Sequence, residues 1–95
     1  MARSLWVARL SVSDATAQKL AAKHDLDWRE VRDAIVCTPR LRYGWHRHPE
    51  RGWRALVEIV IGGKRCVAVL YPLQDGDGEV FALGSAYPQS KGASW

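Results

Sequence analysis

Between Trp53 and Tyr71 the chain is almost continuously apolar, broken only by Arg54, Glu58, Lys64, Arg65 and the pair Gly62-Gly63. Segments 53–61 and 64–71 are rich in β-branched and aromatic residues, and two glycines between them form the connection that a primed hairpin turn requires. Pairing Ile61 with Lys64 sets Val60 against Arg65, Ile59 against Cys66, Glu58 against Val67, Val57 against Ala68 and Arg54 against Tyr71. Side chains alternate between faces with a period of two, so this register sorts them. Ala55, Val57, Ile59, Cys66, Ala68 and Leu70 make one apolar face. The other mixes Leu56, Val60, Val67 and Val69 with Arg54, Glu58, Arg65 and Tyr71.

Upstream, residues 5–12 also alternate, with Trp6, Ala8, Leu10 and Val12 on one side, and predict a strand with Trp6 in the core. Ser13 is a good helix cap, and residues 14–23 are helix-forming with Ala17, Leu20, Ala21 and His24 on one face. His24 would end that helix, where its charge suits the local dipole. Asp27 and Glu30 have capping-box spacing, and Trp28, Val31, Ala34 and Ile35 follow at helical intervals, so a second helix is expected over 28–36 with Trp28 inside. Pro39 turns the backbone out of helical geometry at Thr38. The period then becomes two: Leu41, Tyr43 and Trp45 share a buried side, and Arg40, Arg42 and His46 share a wet one. Residues 48–52 read as a turn, 72–78 as a loop, 79–83 as a last strand and the polar residues from Pro88 as a fraying tail.

The 95 residues therefore predict one α+β domain, an N-terminal strand and two helices packed on a mainly antiparallel sheet of about four further strands. An apolar share of 47% with 25% charged residues suits a globular chain rather than a disordered one. No run approaches the roughly 18 apolar residues of a membrane span, and the first residues lack a secretory pattern, so a cytoplasmic location without membrane contact is expected. Cys37 and Cys66 lack CxxC spacing and are expected to be buried free thiols. Asp75-Gly76-Asp77-Gly78 lacks the later glutamate of a calcium loop and reads as a hairpin loop.

Charge matters once it is located. Within 39–54 stand Arg40, Arg42, Arg47, Arg51 and Arg54 against Glu50 alone, a local excess equal to the whole chain's +4. Such a patch steers anionic partners, and arginine suits bidentate contact with phosphate or carboxylate. Trp45, Trp53 and Tyr43 are interleaved with it, a mixture used where bases stack on rings while guanidiniums hold phosphates.

On the mixed hairpin face, Glu58 is expected between Arg54 and Arg65, as a general base beside cations that stabilise a phosphate. The alternative is a structural ion-pair network. His46 and His48 offer imidazoles that could shuttle a proton in RNA cleavage. They lack a third metal ligand at sensible spacing, and no metal or other cofactor is expected.

Lys23-His24-Asp25-Leu26-Asp27-Trp28 with Val31, then Arg54-Ala55-Leu56-Val57, Val67-Ala68-Val69-Leu70-Tyr71 and Gly84-Ser85-Ala86, together resemble the BrnT group of the RelE/ParE ribonuclease toxin superfamily. The resemblance spans about residues 15–88. It implies a RelE-like fold and metal-independent RNA cleavage that inhibits translation, with RNA, ribosome-bound mRNA included, as substrate. It also implies neutralisation by a cognate antitoxin. Arg54 matches the group's strand arginine, and Arg65 sits where a second basic residue is common. Two departures stand out: the extra segment 5–12, and Tyr87 where the group has arginine, a residue still able to exchange a proton. The expected catalytic set is Arg54, Glu58, Arg65, His46 and Tyr87, with Arg40, Arg42, Arg47, His48, Arg51 and Tyr71 binding substrate. The rival expectation is a non-catalytic module that holds nucleic acid or an acidic protein through 39–54.

Overall fold

A computed structural model describes residues 5–73 and 79–89. Its elements are β1 (Arg9–Ser11), α1 (Asp14–His24), α2 (Trp28–Ile35), β2 (Arg42–His48), β3 (Gly52–Ile61), β4 (Lys64–Pro72) and β5 (Val80–Pro88). The strands form one sheet in the order β1-β5-β4-β3-β2. All neighbours are antiparallel except β1, which lies parallel to β5. The α+β class is as the pattern predicts, with a five-stranded mixed sheet.

The β3–β4 hairpin has the expected register, from Ile61 opposite Lys64 to Ala55 opposite Leu70. Gly62 and Gly63 both have positive φ, 56° and 81°, the backbone that a two-residue primed turn demands. Both helices pack on the apolar face, α2 over β3 and α1 over β5. Leu20, Val31 and Ile35 meet Ala55, Val57, Ile59, Cys66, Ala68, Leu70, Phe81 and Leu83 there, all buried. Burial of this apolar layer, at about 25 cal/mol per Å² removed from water, is the main force joining helices to sheet.

The helix caps are local. The Ser13 hydroxyl accepts the Thr16 N–H at 3.2 Å. The Asp27 carboxylate accepts the Arg29 N–H at 2.9 Å, and α2 stops at Ile35, one residue before the expected end. Asp25 closes α1 with φ 53°. Trp28 is half-buried at the rim of the core, with the Arg29 and Arg32 guanidiniums 5.6 and 5.1 Å from its ring centre.

Four expectations need correction. The N-terminal strand is only three residues long, and Leu5 and Val7 are buried whereas Trp6 is 39% exposed. The Ala8 and Arg9 amides share the Glu79 carbonyl at 2.9 and 3.3 Å. Two residues thus oppose one, as in a bulge, and the inward side changes over from Leu5 and Val7 to Leu10 and Val12. Strict alternation could not show that shift. Second, β5 runs on to Pro88, because a register shift at Val69/Leu70 lets the small residues 84–86 continue pairing with β4. Pro88 is therefore a strand residue, and the Gln89 amide donates to the Arg65 carbonyl at 2.8 Å. Third, Cys37 is exposed just past α2, at φ 54°, and only Cys66 is buried. Fourth, Arg40 lies before β2 at φ 59° and is not a strand residue. The Asp75–Gly78 reading and the tail beyond 89 fall outside the described residues. Among the described residues no helix is long and apolar enough to cross a membrane.

Candidate functional site

The site is set by the short turn between β2 and β3. His48 Nδ1 accepts the amides of Glu50 and Arg51, each at 3.1 Å, and Gly52 completes the turn at φ 81°. An imidazole here does the work of an Asx side chain, capping two backbone donors that a turn leaves unpaired. His48 thus holds the turn. The register that follows places Arg42 opposite Glu58, Gly44 opposite Leu56 and His46 opposite Arg54.

That register carries His46, Arg54 and Tyr71 onto the open face of the sheet, the one without helices. Arg54 is the hub. Its Nε donates to His46 Nδ1 at 3.1 Å, and its Nη1 donates to the Tyr71 hydroxyl at 3.4 Å. The Arg51 guanidinium stands over the Tyr71 ring, 5.6 Å from its centre. Because His46 accepts through Nδ1, the proton of the uncharged imidazole sits on Nε2, directed away from Arg54. Burial pushes the Tyr71 phenol up, but the hydrogen bond from Arg54 and the charges of Arg54 and Arg51 outweigh it, and the net shift is downward. Tyr71 itself is half-buried, with its ring laid over Gly84 of β5.

The expected trio of Arg54, Glu58 and Arg65 shares this face without sharing a site. Glu58 lies four residues along β3 from Arg54, about 13 Å at the rise of a strand. It stands directly opposite Arg42 and Val67, and Arg65 stands opposite Val60. The only ion pair among the described residues is Arg32 with Asp33, so Glu58 is not clamped between two guanidiniums. Leu56, Val67 and Val69 separate the two groups of charges.

The remaining candidates scatter. Tyr87 pairs with Val67 on β5, and its ring lies 6.4 Å from that of His24, which ends α1 as expected. Arg47 pairs with Trp53 on the helix-side face. Arg40, Arg42, Arg47, Arg51 and Arg65 are exposed, and Arg54 is half-buried. Trp45 sits on the helix-side face as expected, beside Tyr43 in an edge-to-face contact at 6.2 Å. It is 48% exposed, and Trp53 is 57% exposed, because the helices lie over β3 and β5 and stop short of β2. No group of three His, Cys, Asp or Glu among the described residues is placed to hold a metal ion.

Sequence reasoning missed the union of Arg51, Arg54, His46 and Tyr71. The signal was there: the three residues between His48 and Gly52 fix His46 opposite Arg54, and the hairpin register already set Arg54 against Tyr71. Chemically, the cluster offers a phenol with a lowered pKa, two guanidiniums and an imidazole N–H on an accessible surface. No protein-family model, curated protein or solved structure matches the chain.

Proposed function

We propose that the chain is a toxin-type endoribonuclease whose site is the cluster of Arg51, Arg54, His46 and Tyr71. The observation that carries this reading is the Tyr71 hydroxyl held by Arg54 beneath a second guanidinium, with its pKa lowered. The phenol carries a proton to give, and two cations stand ready to stabilise the phenolate it leaves. That is the requirement for a general acid.

In the proposed reaction the RNA 2′-oxygen attacks the adjacent phosphorus, and its proton passes to water. The bond from phosphorus to the 5′-oxygen breaks as that oxygen takes the Tyr71 proton, leaving a 2′,3′-cyclic phosphate and a 5′-hydroxyl. Arg54 and Arg51 stabilise charge on the phosphate oxygens, and His46 Nε2–H donates to one of them. Tyr71 regains a proton from solvent. Glu58 and Arg65 lie outside this step; Arg65, with Arg42 and Arg47, adds to the positive field that guides RNA.

The order of strand, two helices and antiparallel meander is compatible with a RelE-like architecture, and the resemblance to BrnT toxins supports the same class. On this reading the antitoxin would cover the arginine-rich face. The test is incubation of purified protein with RNA, with and without ribosomes, and analysis of product ends. Cleavage giving 2′,3′-cyclic phosphates, lost in Tyr71→Phe with the fold retained, is the expected result. RNA binding without cleavage in either condition would replace the enzyme by the non-catalytic binding module.

A further inference from the structure

Two tryptophans on the other side of the same hairpin are unused by this chemistry. Trp45 pairs with Ala55 and Trp53 with Arg47, so the two indoles are diagonal neighbours on the helix-side face. Diagonal pairs across antiparallel strands have their side chains about 7–8 Å apart, roughly twice the 3.4 Å spacing of stacked bases. The rings do not stack on each other, and an open hollow of about 460 Å³ is lined, among the described residues, by these two. Tyr43 braces the edge of Trp45, which fixes that ring while leaving a face open.

We infer that Trp45 and Trp53 form a base-stacking subsite for single-stranded RNA, an inference that rests on the reading of RNA as substrate. Charge supports this occupant. Arg47 stands directly opposite Trp53, and Glu50 is the only carboxylate in 39–54. An aromatic pair beside an exposed guanidinium suits flat, uncharged bases on an anionic backbone. A second copy would bring like charges together. A folded protein partner needs about 800 Å² on each side, far more than two rings supply. β2 is an edge strand, so RNA leaving the indoles passes round that edge to reach His46 and Arg54 on the open face. The subsite thus anchors bases beside the scissile phosphate without touching it.

The test is binding of a labelled oligouridine, followed by anisotropy over a series of salt concentrations, in wild type and in Trp45→Ala, Trp53→Ala, Trp53→Phe and Arg47→Ala. Each tryptophan-to-alanine change is expected to weaken binding about five- to hundredfold, with Trp53→Phe retaining most affinity. Stacking releases no counterions, so the tryptophan variants keep the slope of log K against log salt, whereas Arg47→Ala makes it shallower. Wild-type circular dichroism in each variant shows that the fold is intact. If Trp45→Ala and Trp53→Ala bind as tightly as wild type, the subsite is refuted while RNA binding stands. If wild type binds no oligouridine, the RNA reading itself fails. Indole fluorescence that responds to polyglutamate and not to oligouridine would assign the surface to an acidic protein and overturn the inference.

Discussion

Gly84 leaves the space that the Tyr71 ring occupies: a β-carbon at Gly84 would come within 2.8 Å of Tyr71 Cδ2, and closer still to Cε2. No real β-carbon tolerates that, so a side chain there must displace the ring from its place beside Arg54. Gly84→Ala is expected to lower stability by about 1–3 kcal/mol, as overpacking does. It should also cut RNA cleavage severely while leaving Arg54 and His46 in place. Urea unfolding and a cleavage assay on the same preparation check both halves.

Tyr71 should be visible by its ionisation. Spectrophotometric titration is expected to show one phenol ionising below the usual tyrosine range, absent in Tyr71→Phe and moved upward in Arg54→Ala. The sign for stability follows. A group whose folded pKa is depressed adds stability above its unfolded pKa, near 10, and that gain is lost as pH falls through the folded value. Tyr71→Phe should therefore flatten the stability profile in the alkaline range only. Cleavage that uses the phenol as acid should decline over the same range as the proton is lost.

Separation along β3 distinguishes the two charged groups by mutation. Arg54→Ala removes the hub of the cluster and is expected to reduce cleavage by about a hundredfold or more. Glu58→Gln should leave cleavage within a few-fold of wild type and change stability by about 0.5 kcal/mol or less, because its carboxylate lies on a half-exposed face without an ion pair. Equal loss in both variants would show that Glu58 belongs to the reaction.

The contrast between these residues shows what was legible in the chain. Gly62-Gly63 fixed the register of β3 and β4 through the turn geometry alone, and with it the faces on which Arg54, Glu58 and Tyr71 stand. Distance along the strand was also readable, but shared facing was mistaken for proximity. Trp6 could not be placed, because both sides of segment 5–12 are apolar and the choice depended on a backbone contact with Glu79. The exposure of Trp45 and Trp53 depended on where two helices end over a sheet, a tertiary relationship that a period of two does not encode. Gly84-Ser85-Ala86 lacks the composition of a strand and is held in one by β4.

The turn glycines carry a separate prediction. Ala at Gly62 or Gly63 must adopt positive φ, and each change is expected to lower stability by about 1–2 kcal/mol. Gly62→Asn, at φ 56°, should be better tolerated because asparagine visits that region. Denaturant midpoints with an unchanged slope would confirm a purely local effect.

The two thiols should react at different rates. Cys37 is exposed and should be modified quickly by a disulfide reagent, whereas burial closes off Cys66 and raises its pKa. Native protein is expected to give one fast thiol and denatured protein two. Two fast thiols under native conditions would contradict the burial of Cys66 in the core.

Pairing of Arg9–Ser11 with residues 80–82 joins segments that lie far apart in the sequence. During synthesis, β1 and α1 emerge long before β5, which receives them both, while β2, β3 and β4 can form their meander from neighbouring residues. The ring of Tyr71 likewise lacks its support until Gly84 has left the ribosome. Assembly of the proposed acid is thereby coupled to synthesis of β5, and a nascent fragment that ends before it carries the arginines without the support that Gly84 gives the Tyr71 ring.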